Sequence, residues 1–395
     1  MVVEPRTSDL QRLTASSSIY LDEAATLRRE PWFPERERPK AFYERFEDRA
    51  LFYDIFRSRD GYHVYLIGPM AMNLEPHLRE MRIVGVQSGS QPRVQIHFGL
   101  QIVIMRVRLP LEDTHLRVVI GEQTHEAEIC PNQSEFFRNE RMLVTINKNN
   151  RLEWIADWAR FYVKEHGASA VILYDNGSTD YSTDDLRETF ASVPGLKQAL
   201  VVPWNFKFGM TDPHRGPKLG GNWVRFAQPP IYTHAFRKYA AKARSIVNVD
   251  IDELVISPHR KSVFKAAERA PFGVVRFNWI WVENIREDQS ALPRHSQFVV
   301  RKRGLAAKNR GKKWAINPRR SWLASWRAQL WTHQVRGWFN LTGASIDFFA
   351  YHFIGVTTNW SWDRTATPDF DPKLHRKDKL LIEVFADVFG TPRNR

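Results

Sequence analysis

The sequence predicts an α/β protein with a doubly wound, mostly parallel sheet, preceded by a small β-rich N-terminal domain. Strand and helix patterns alternate from about residue 135, as they do in parallel sheets with helical crossovers. Two acidic motifs, at 175–180 and 250–253, come directly after predicted strands. Because the carboxyl ends of parallel strands share one sheet edge, we expect both motifs to lie at a ligand site.

Composition shifts divide the 395 residues into four segments. Residues 1–45 contain four prolines among many charges, which predicts an irregular strap. Residues 46–135 form a β-rich accessory domain, 136–365 form the α/β domain, and 366–395 form a C-terminal tail with a helix. Period-two alternation predicts the accessory strands at 62–67, 82–86, 93–98, 101–108 and 116–120.

The α/β domain begins with a strand at 141–146 and an amphipathic helix at 151–165 that ends before Gly167. The helix places five apolar residues on one face: Leu152, Ile155, Trp158, Ala159 and Tyr162. A strand at 170–174 follows, then a helix to about 190 for which Ser178 or Thr179 is the expected N-cap. The remaining elements are a strand at 198–202, an insertion to about 222 and a helix to about 243.

Residues 245–257 read as a buried strand that is interrupted by Asp250, Asp252 and Glu253. Two aspartates spaced i, i+2 at a strand end can turn toward one hard cation, Mn²⁺ or Mg²⁺. Such an ion keeps positions open for the phosphates of a nucleotide. The alternative interpretation is an acidic turn between two strands.

The net charge of +14 indicates an anionic partner. Nine basic residues and no acid fall in 301–320, which we interpret as a solvated loop that meets phosphates or anionic lipid. Nucleic acid is not expected, because no binding motif for it is present. The lone Cys130, and the lack of a long apolar run or an ordinary secretory signal, predict a cytoplasmic protein. The basic segment 301–320 leaves peripheral contact at the inner membrane face open.

Several blocks resemble those of the family 2-like and family 92-like glycosyltransferases, which have the GT-A fold. The blocks are Lys148-Asn-Asn, Asp157-Trp158 with Phe161-Tyr162, 171–180, 248–254, Lys313-Trp-Ala-Ile-Asn-Pro318, His333 and Tyr351-His352. The first block departs from the family pattern, because Asn150 stands where an acid is usual. The last block also departs, because Tyr precedes His in Tyr351-His352.

The resemblance implies a metal-dependent hexosyltransferase of the inverting kind, active in polysaccharide biosynthesis. Its donor would be a nucleotide-sugar, with a UDP-sugar as the first candidate, and its acceptor a glycan hydroxyl. Asp175, Asn176 and Asp180 would face the nucleotide. Lys312, Lys313 or Arg310 would close over the diphosphate as a lid.

The resemblance also implies metal and catalytic residues. Asp250 and Asp252 would hold the ion, and His352 is preferred over His333 as its third ligand, because His352-Phe-Ile-Gly355 looks like the His-x-x-Gly of other GT-A enzymes. In an inverting enzyme a carboxylate takes the acceptor proton, for which Glu283 and Asp347 are the candidates.

Two other functions remain open on the sequence. One is a non-catalytic glycan- or nucleic-acid-binding protein, in which the aromatic and basic groups bind and the acids are structural. The other is a nucleotidyl- or phosphotransferase that uses the same metal. Indole faces stack on sugars, and nine of the 14 tryptophans lie in the last third: Trp279, Trp281, Trp314, Trp322, Trp326, Trp331, Trp338, Trp360 and Trp362.

Overall fold

The structure is a computed structural model that describes residues 13–32, 34–38, 42–210, 224–289, 292–304, 308–336, 343–358, 364 and 366–392, without the side chains of 37, 210 and 308–311. The chain divides into two compact units. The first consists of Met1–Phe136, Val202–Ala241 and Trp322–Trp331. The second consists of Phe137–Val201, Lys242–Ser321 and Thr332–Arg395.

The first unit is built on two antiparallel sheets, and the five strands predicted between residues 62 and 120 are confirmed. The four-stranded sheet has the order Asp54–Arg57, His63–Pro69, Ile102–Arg108, Gln95–Gly99, and the three-stranded sheet has the order Arg82–Gly85, His115–Ile120, Gln123–Glu128. Both sheets contribute to one apolar core, in which Leu66 and Val118 are fully buried. This part of the chain is therefore β-rich, as predicted.

The helix Gln228–His234, which continues as a π-helical turn at Ala235–Ala240, also belongs to the first unit. The sequence had assigned this segment to the α/β domain. Asp54 explains the difference, since its buried carboxylate accepts hydrogen bonds at 2.7 Å from the ammonium of Lys238 and lies 2.7 Å from Nε2 of His234. A buried charge pair of this kind fixes the helix to the sheet.

The described part of the N-terminal segment is mostly irregular, with short elements at Ile19–Tyr20, Glu35–Glu37 and Phe42–Arg45. It is nonetheless tied to the first unit. The buried guanidinium of Arg29 donates to the carbonyls of Glu47, Ala50 and Met70. These bonds satisfy a charge that burial would otherwise penalise.

The second unit contains an eight-stranded mixed sheet. Its order is Gln198–Pro203, Ala170–Asp175, Arg141–Asn147, Ser245–Asn248, Lys308–Ile316, Val274–Val282, Phe349–Phe353, Glu253–Ile256. Arg141–Asn147 pairs in parallel with both of its neighbours, whereas Lys308–Ile316 runs antiparallel to both of its own. The fold class is therefore mixed α/β with a large sheet. Its antiparallel strands are Lys308–Ile316 and Glu253–Ile256.

The α-helices of this unit, in the residues that the structure describes, are Leu152–Phe161 with a π-helical turn at Tyr162–His166, Thr183–Ala191, Val263–Arg269 and Lys379–Phe389. The predicted apolar face of the first helix lies in or against the core, and Gly167 ends it in the left-handed conformation at φ 70°. The last helix buries Leu381, Val384 and Phe385 in the same core, so this end of the chain is part of the domain.

Two sequence interpretations change. Residues 245–257 form two strands, Ser245–Asn248 and Glu253–Ile256, with Asp250 and Asp252 in the connection. The segment expected to be a basic loop instead contributes Lys308–Ile316 to the middle of the sheet, because its Trp314-Ala-Ile316 run is fully buried between two strands. Within the described ranges, no helix is long and apolar enough to cross a bilayer.

Candidate active site

The strand order of the second unit reverses at Arg141–Asn147. The chain continues from this strand to Ala170–Asp175 on one side and later returns to Ser245–Asn248 on the other. Adjacent loops that leave in opposite directions open a crevice at the carboxyl ends of the strands. The strand ends at Asn147 and Asn248 flank this crevice.

Asp175, at the end of its strand, organises the first half of the crevice. Its Oδ1 accepts from Nδ2 of Asn147 at 2.8 Å and from Oγ of Ser178 at 2.6 Å, and its Oδ2 accepts from the Ser178 backbone amide at 3.0 Å. The structure thus uses both oxygens to hold the loop, whereas the sequence interpretation gave Asp175 the leading role toward the nucleotide. Asn176 is also buried, and its backbone N–H donates to the backbone carbonyl of Asn147.

The helix that follows begins later than expected. Ser182 is its N-cap and forms a capping box with Asp185, whereas Ser178 is engaged by Asp175. The sequence analysis expected Ser178 or Thr179 as the N-cap. The N-cap is also a serine, but it is Ser182. Because Ser178 is withdrawn into the loop, residues 179–181 remain at the edge of the crevice.

Asn150, the departure from the family block, has a definite role in this loop. Its Nδ2 donates to Oδ1 of Asn147 at 2.9 Å, and its carbonyl accepts from the Tyr181 hydroxyl at 2.7 Å. A carboxylate at this position could not donate to Asn147. The amide therefore supports the same network as Asp175.

A cavity of about 560 Å³ opens beside this loop. It is lined by Asn149, Arg151, Leu152, Glu153, Trp154, Asp180, Tyr181, Thr357 and Thr358. Asn149 has a left-handed backbone at φ 53°, and its Oδ1 accepts from the Thr179 amide at 2.7 Å. Asp180 is exposed and lies on the cavity wall, so it is available to a ligand there.

Asp250 lies in the second half of the crevice and is paired with Lys313. Nζ of Lys313 lies 2.7 Å from Oδ2 of Asp250 and 3.1 Å from Oε2 of Glu253. The Lys313 side chain is fully buried in its strand, where its neighbour Trp314 pairs with Asn248. The sequence interpretation placed Lys313 on an exposed lid. The structure instead buries it in a strand.

Asp252 is held by residues from the end of the domain. Its Oδ2 lies 2.8 Å from Nε2 of His352 and accepts from Nη1 of Arg364 at 2.9 Å. His352 belongs to Phe349–Phe353, which pairs with Glu253–Ile256 in antiparallel register, Glu253 opposite His352. The sheet thus brings the predicted His352 to the predicted Asp252.

The pKa values of the neighbouring acids Asp252 and Glu253 shift in opposite directions. Burial raises the pKa of Glu253 to about 7, with Asp250 and Asp252 adding to the effect and Lys313 opposing it. Burial would also raise the pKa of Asp252, but His352 and Arg364 outweigh it and hold that pKa below its ordinary value. Asp252 is therefore a stable carboxylate anion.

The expected divalent metal does not fit this arrangement. Asp250 is bound by an ammonium, and Asp252 by a guanidinium and an imidazole. Throughout the described ranges, no group of three or more His, Cys, Asp or Glu side chains is positioned to hold a metal ion. We therefore assign no reaction step to a metal.

The catalytic candidates separate. Glu283 is buried directly after Val274–Val282, at the same sheet edge, with Oε1 3.8 Å from Nζ of Lys302. Asp347 precedes Phe349–Phe353 and pairs with Lys261 at 3.0 Å, at the opposite edge from Asp252. We do not carry Asp347 forward as a catalytic candidate.

The remaining basic and histidine candidates lie near this edge. Lys312 is half-buried, and its carbonyl lies 3.2 Å from Nδ1 of His333. The His333 ring packs edge-on against Trp279, with centroids 5.1 Å apart. The side chain of Arg310, also proposed for the lid, lies outside the described residues.

Three residues make contacts in this region that the sequence analysis did not predict. The Trp281 ring stacks on His352 with centroids 4.3 Å apart, because the two residues are neighbours in parallel strands. Glu253 lay inside the acidic motif, but its contact with Lys313 was not predicted. Arg364 belonged to no motif, and its 112-residue separation from Asp252 left no local signal.

Neither the known protein-family models nor the curated protein sequences match this chain. Among solved structures, it is similar to the crystal structure of an active-site mutant of LgtC, with 17% sequence identity and a TM-score of 0.25. The match covers 47% of this chain and 59% of that chain, so it spans about three fifths of the LgtC structure. A score this low adds no support for a shared fold or activity.

Proposed function

We propose that this chain is a glycosyltransferase of GT-A type that moves a sugar from a nucleotide-sugar donor to a hydroxyl group of a glycan acceptor. One observation carries the proposal. Several blocks that resemble glycosyltransferase motifs, namely Lys148-Asn-Asn, 171–180, 248–254 and Tyr351-His352, adjoin strand ends at one edge of the sheet, which includes the carboxyl ends of Arg141–Asn147 and Ser245–Asn248. Ligands of open α/β sheets bind at this position.

The cavity beside Asp180 is the proposed site for the donor nucleoside. Its volume of about 560 Å³ falls in the range of small-ligand pockets. Asn149 and Asp180 offer an amide and a carboxylate to base or ribose hydroxyls. Trp154 and Tyr181 add aromatic surface, and Arg151 adds a positive charge that a phosphate would favour.

In the proposed reaction, the bond between the anomeric carbon and the diphosphate oxygen breaks, and its electron pair leaves with the nucleoside diphosphate. The acceptor oxygen bonds to the anomeric carbon and loses its proton to a base. Glu283 is our proposed base, because it is a buried carboxylate directly after a strand at this edge.

The acceptor would lie against the indoles next to His352. Trp281 and Trp279 are half-buried, so part of each ring remains accessible. Their rings pack against His352 with centroids 4.3 Å and 5.4 Å away, which holds them rigidly. Rigid aromatic rings bind sugar C–H faces at a low cost in conformational entropy.

The decisive experiment is incubation of the full chain with a panel of UDP-sugars, with the release of UDP measured in the presence and absence of glycan acceptors. We expect one donor to release UDP, at a rate that rises with acceptor. Glu283→Gln should lower that rate by about 100-fold, as expected for loss of a general base. Glu287→Gln, an exposed carboxylate four residues away, is the matched control.

Binding of glycan without release of UDP from any donor would contradict the proposal and favour a non-catalytic glycan-binding protein. Release of monophosphate with formation of a phosphodiester would instead favour a nucleotidyltransferase. Product analysis by mass spectrometry separates these outcomes from transfer of a sugar.

A further inference from the structure

Protein cations occupy the carboxylates at which a divalent ion was expected. We propose that Lys313 and Arg364 take the place of a divalent cation at Asp250 and Asp252, so that this chain binds a nucleoside diphosphate without metal. The inference rests on the function proposed above and concerns the charge balance of the same site.

Lys313 is built into the sheet at this point. Its side chain is 0% exposed, and its ammonium contacts Asp250 at 2.7 Å and Glu253 at 3.1 Å. The Asp250 backbone amide also donates to Oε2 of Glu253 at 3.0 Å, which ties the two acids around the lysine. An ammonium without exposure to water is stable because these carboxylates compensate it.

Arg364 and His352 form the second half of the arrangement. Nη1 of Arg364 lies 2.9 Å from Oδ2 of Asp252 and 3.3 Å from Nε2 of His352. Nε2 of His352 lies 2.8 Å from the same oxygen of Asp252. The Arg364 and Asp252 side chains are only 12% and 18% exposed, so solvent screens this pair little.

The metal and the protein cations compete for the same oxygens. Mg²⁺ or Mn²⁺ takes carboxylate oxygens at roughly 2.0–2.2 Å, inside the distance at which a hydrogen-bonded nitrogen can remain. An ion at Oδ2 of Asp250 would displace the Lys313 ammonium, whose side chain is 0% exposed, from its contact at 2.7 Å. The same holds at Oδ2 of Asp252, which two side chains already share.

The charge balance explains what the protein cations achieve. Asp250, Asp252 and Glu253 are three acids at one edge, and without compensation they would repel a diphosphate. Lys313 and Arg364 supply two fixed positive charges and His352 an imidazole. These two cations offset most of the negative charge that the three acids present to a diphosphate, a role that a bound cation has in other nucleotide sites.

The test measures binding of UDP to the full chain by calorimetry, in excess EDTA and in excess MnCl₂. We expect the two dissociation constants to agree within about twofold. Binding that is more than about tenfold weaker in EDTA overturns the inference alone. Binding in neither buffer overturns the proposed donor and the inference with it.

Arg364→Gln provides a second readout. Loss of this cation should weaken binding of UDP in EDTA by about tenfold, and Mn²⁺ should restore it, because Asp252 becomes available to the ion. Arg376→Gln, an exposed arginine outside the site, should bind UDP like the wild type in both buffers. If Mn²⁺ fails to restore a weakened Arg364→Gln, or if Mn²⁺ paramagnetic resonance shows a stoichiometric site in the wild type, the inference is wrong.

Discussion

Nε2 of His352 lies 2.8 Å from Oδ2 of Asp252, although the two residues are 100 positions apart in the chain. The contact exists because Phe349–Phe353 inserts between Val274–Val282 and Glu253–Ile256. The Trp281 ring stacks on the imidazole of His352, with centroids 4.3 Å apart, and so restrains the plane of that ring. Asp252 is thus positioned by a part of the chain that its own motif does not reveal.

Asp252→Asn should lower the release of UDP from the donor by about 100-fold, because it removes the charge that holds Arg364 and His352 together. Circular dichroism should show the wild-type secondary structure. Asp369→Asn is the matched control, since Asp369 is exposed. If the activity of Asp252→Asn is within about twofold of the wild type, Asp252 does not belong to the active site.

Lys313→Met should reduce the free energy of unfolding by about 3–5 kcal/mol, because Asp250 and Glu253 would remain without their buried counter-charge. Lys312→Met is the neighbouring control and should change it by less than about 0.5 kcal/mol. Urea denaturation followed by tryptophan fluorescence measures both. Equal effects of the two variants would show that the buried ion pair does not stabilise the fold.

The stability of the second unit should fall in acid because of His166. Burial lowers the pKa of this histidine from 6.5 to about 4. Its Nε2 lies 2.6 Å from the Val255 carbonyl, and its Nδ1 accepts from the Val263 amide at 3.3 Å, so a proton on Nδ1 would oppose that amide. The unfolded chain therefore binds more protons than the folded one between these pKa values.

The His166 contribution is fully present above pH 6.5 and is lost as the pH falls toward about 4. The expected slope in that window is about 1.4 kcal/mol per pH unit. His166→Gln keeps a donor and an acceptor without titrating, so its stability should vary less with pH than that of the wild type. Parallel stability curves for the two proteins, from urea denaturation at several pH values, would contradict the prediction.

Gly355→Ala should destabilise the chain by about 1–3 kcal/mol. A Cβ at this position would lie 2.3 Å from Cε1 of Phe298 and 2.6 Å from Oδ1 of Asn284, and both side chains are buried. Gly343→Ala is the control, because a Cβ there meets nothing within 4 Å. Thermal denaturation compares them, and a stable Gly355→Ala would show that the loop can move away from Phe298.

The glycine in His352-Phe-Ile-Gly355 thus has a packing explanation that differs from the one its motif implied. A motif match shows only which residue types occur at a given spacing. Here the glycine is required because the Phe298 ring lies too close to Gly355 to leave room for a Cβ. His352, which was predicted as a metal ligand, lies in the strand Phe349–Phe353 and contacts Asp252 at the sheet edge.

Local patterns predicted the elements well. The helix Leu152–Phe161 with its π-helical turn Tyr162–His166, and the strands Arg141–Asn147 and Ala170–Asp175, lie within one or two residues of their predicted bounds. The segment around Lys313 failed because its charge suggested solvent, whereas two acids that are distant in the sequence compensate the lysine in the core. Arg364 could not be found, since nothing near it in the chain reflects its distant carboxylate partner.

The insertion of Phe349–Phe353 between two earlier strands also constrains the order of assembly. A ribosome synthesises Glu253–Ile256 long before Phe349–Phe353, the strand that pairs with it. This pairing can therefore form only after most of the domain has been synthesised. Asp252 acquires His352 and Arg364 at the same late stage. During synthesis, one edge of Val274–Val282 therefore stays unpaired until Phe349–Phe353 has been made, and an unpaired edge can pair with another chain.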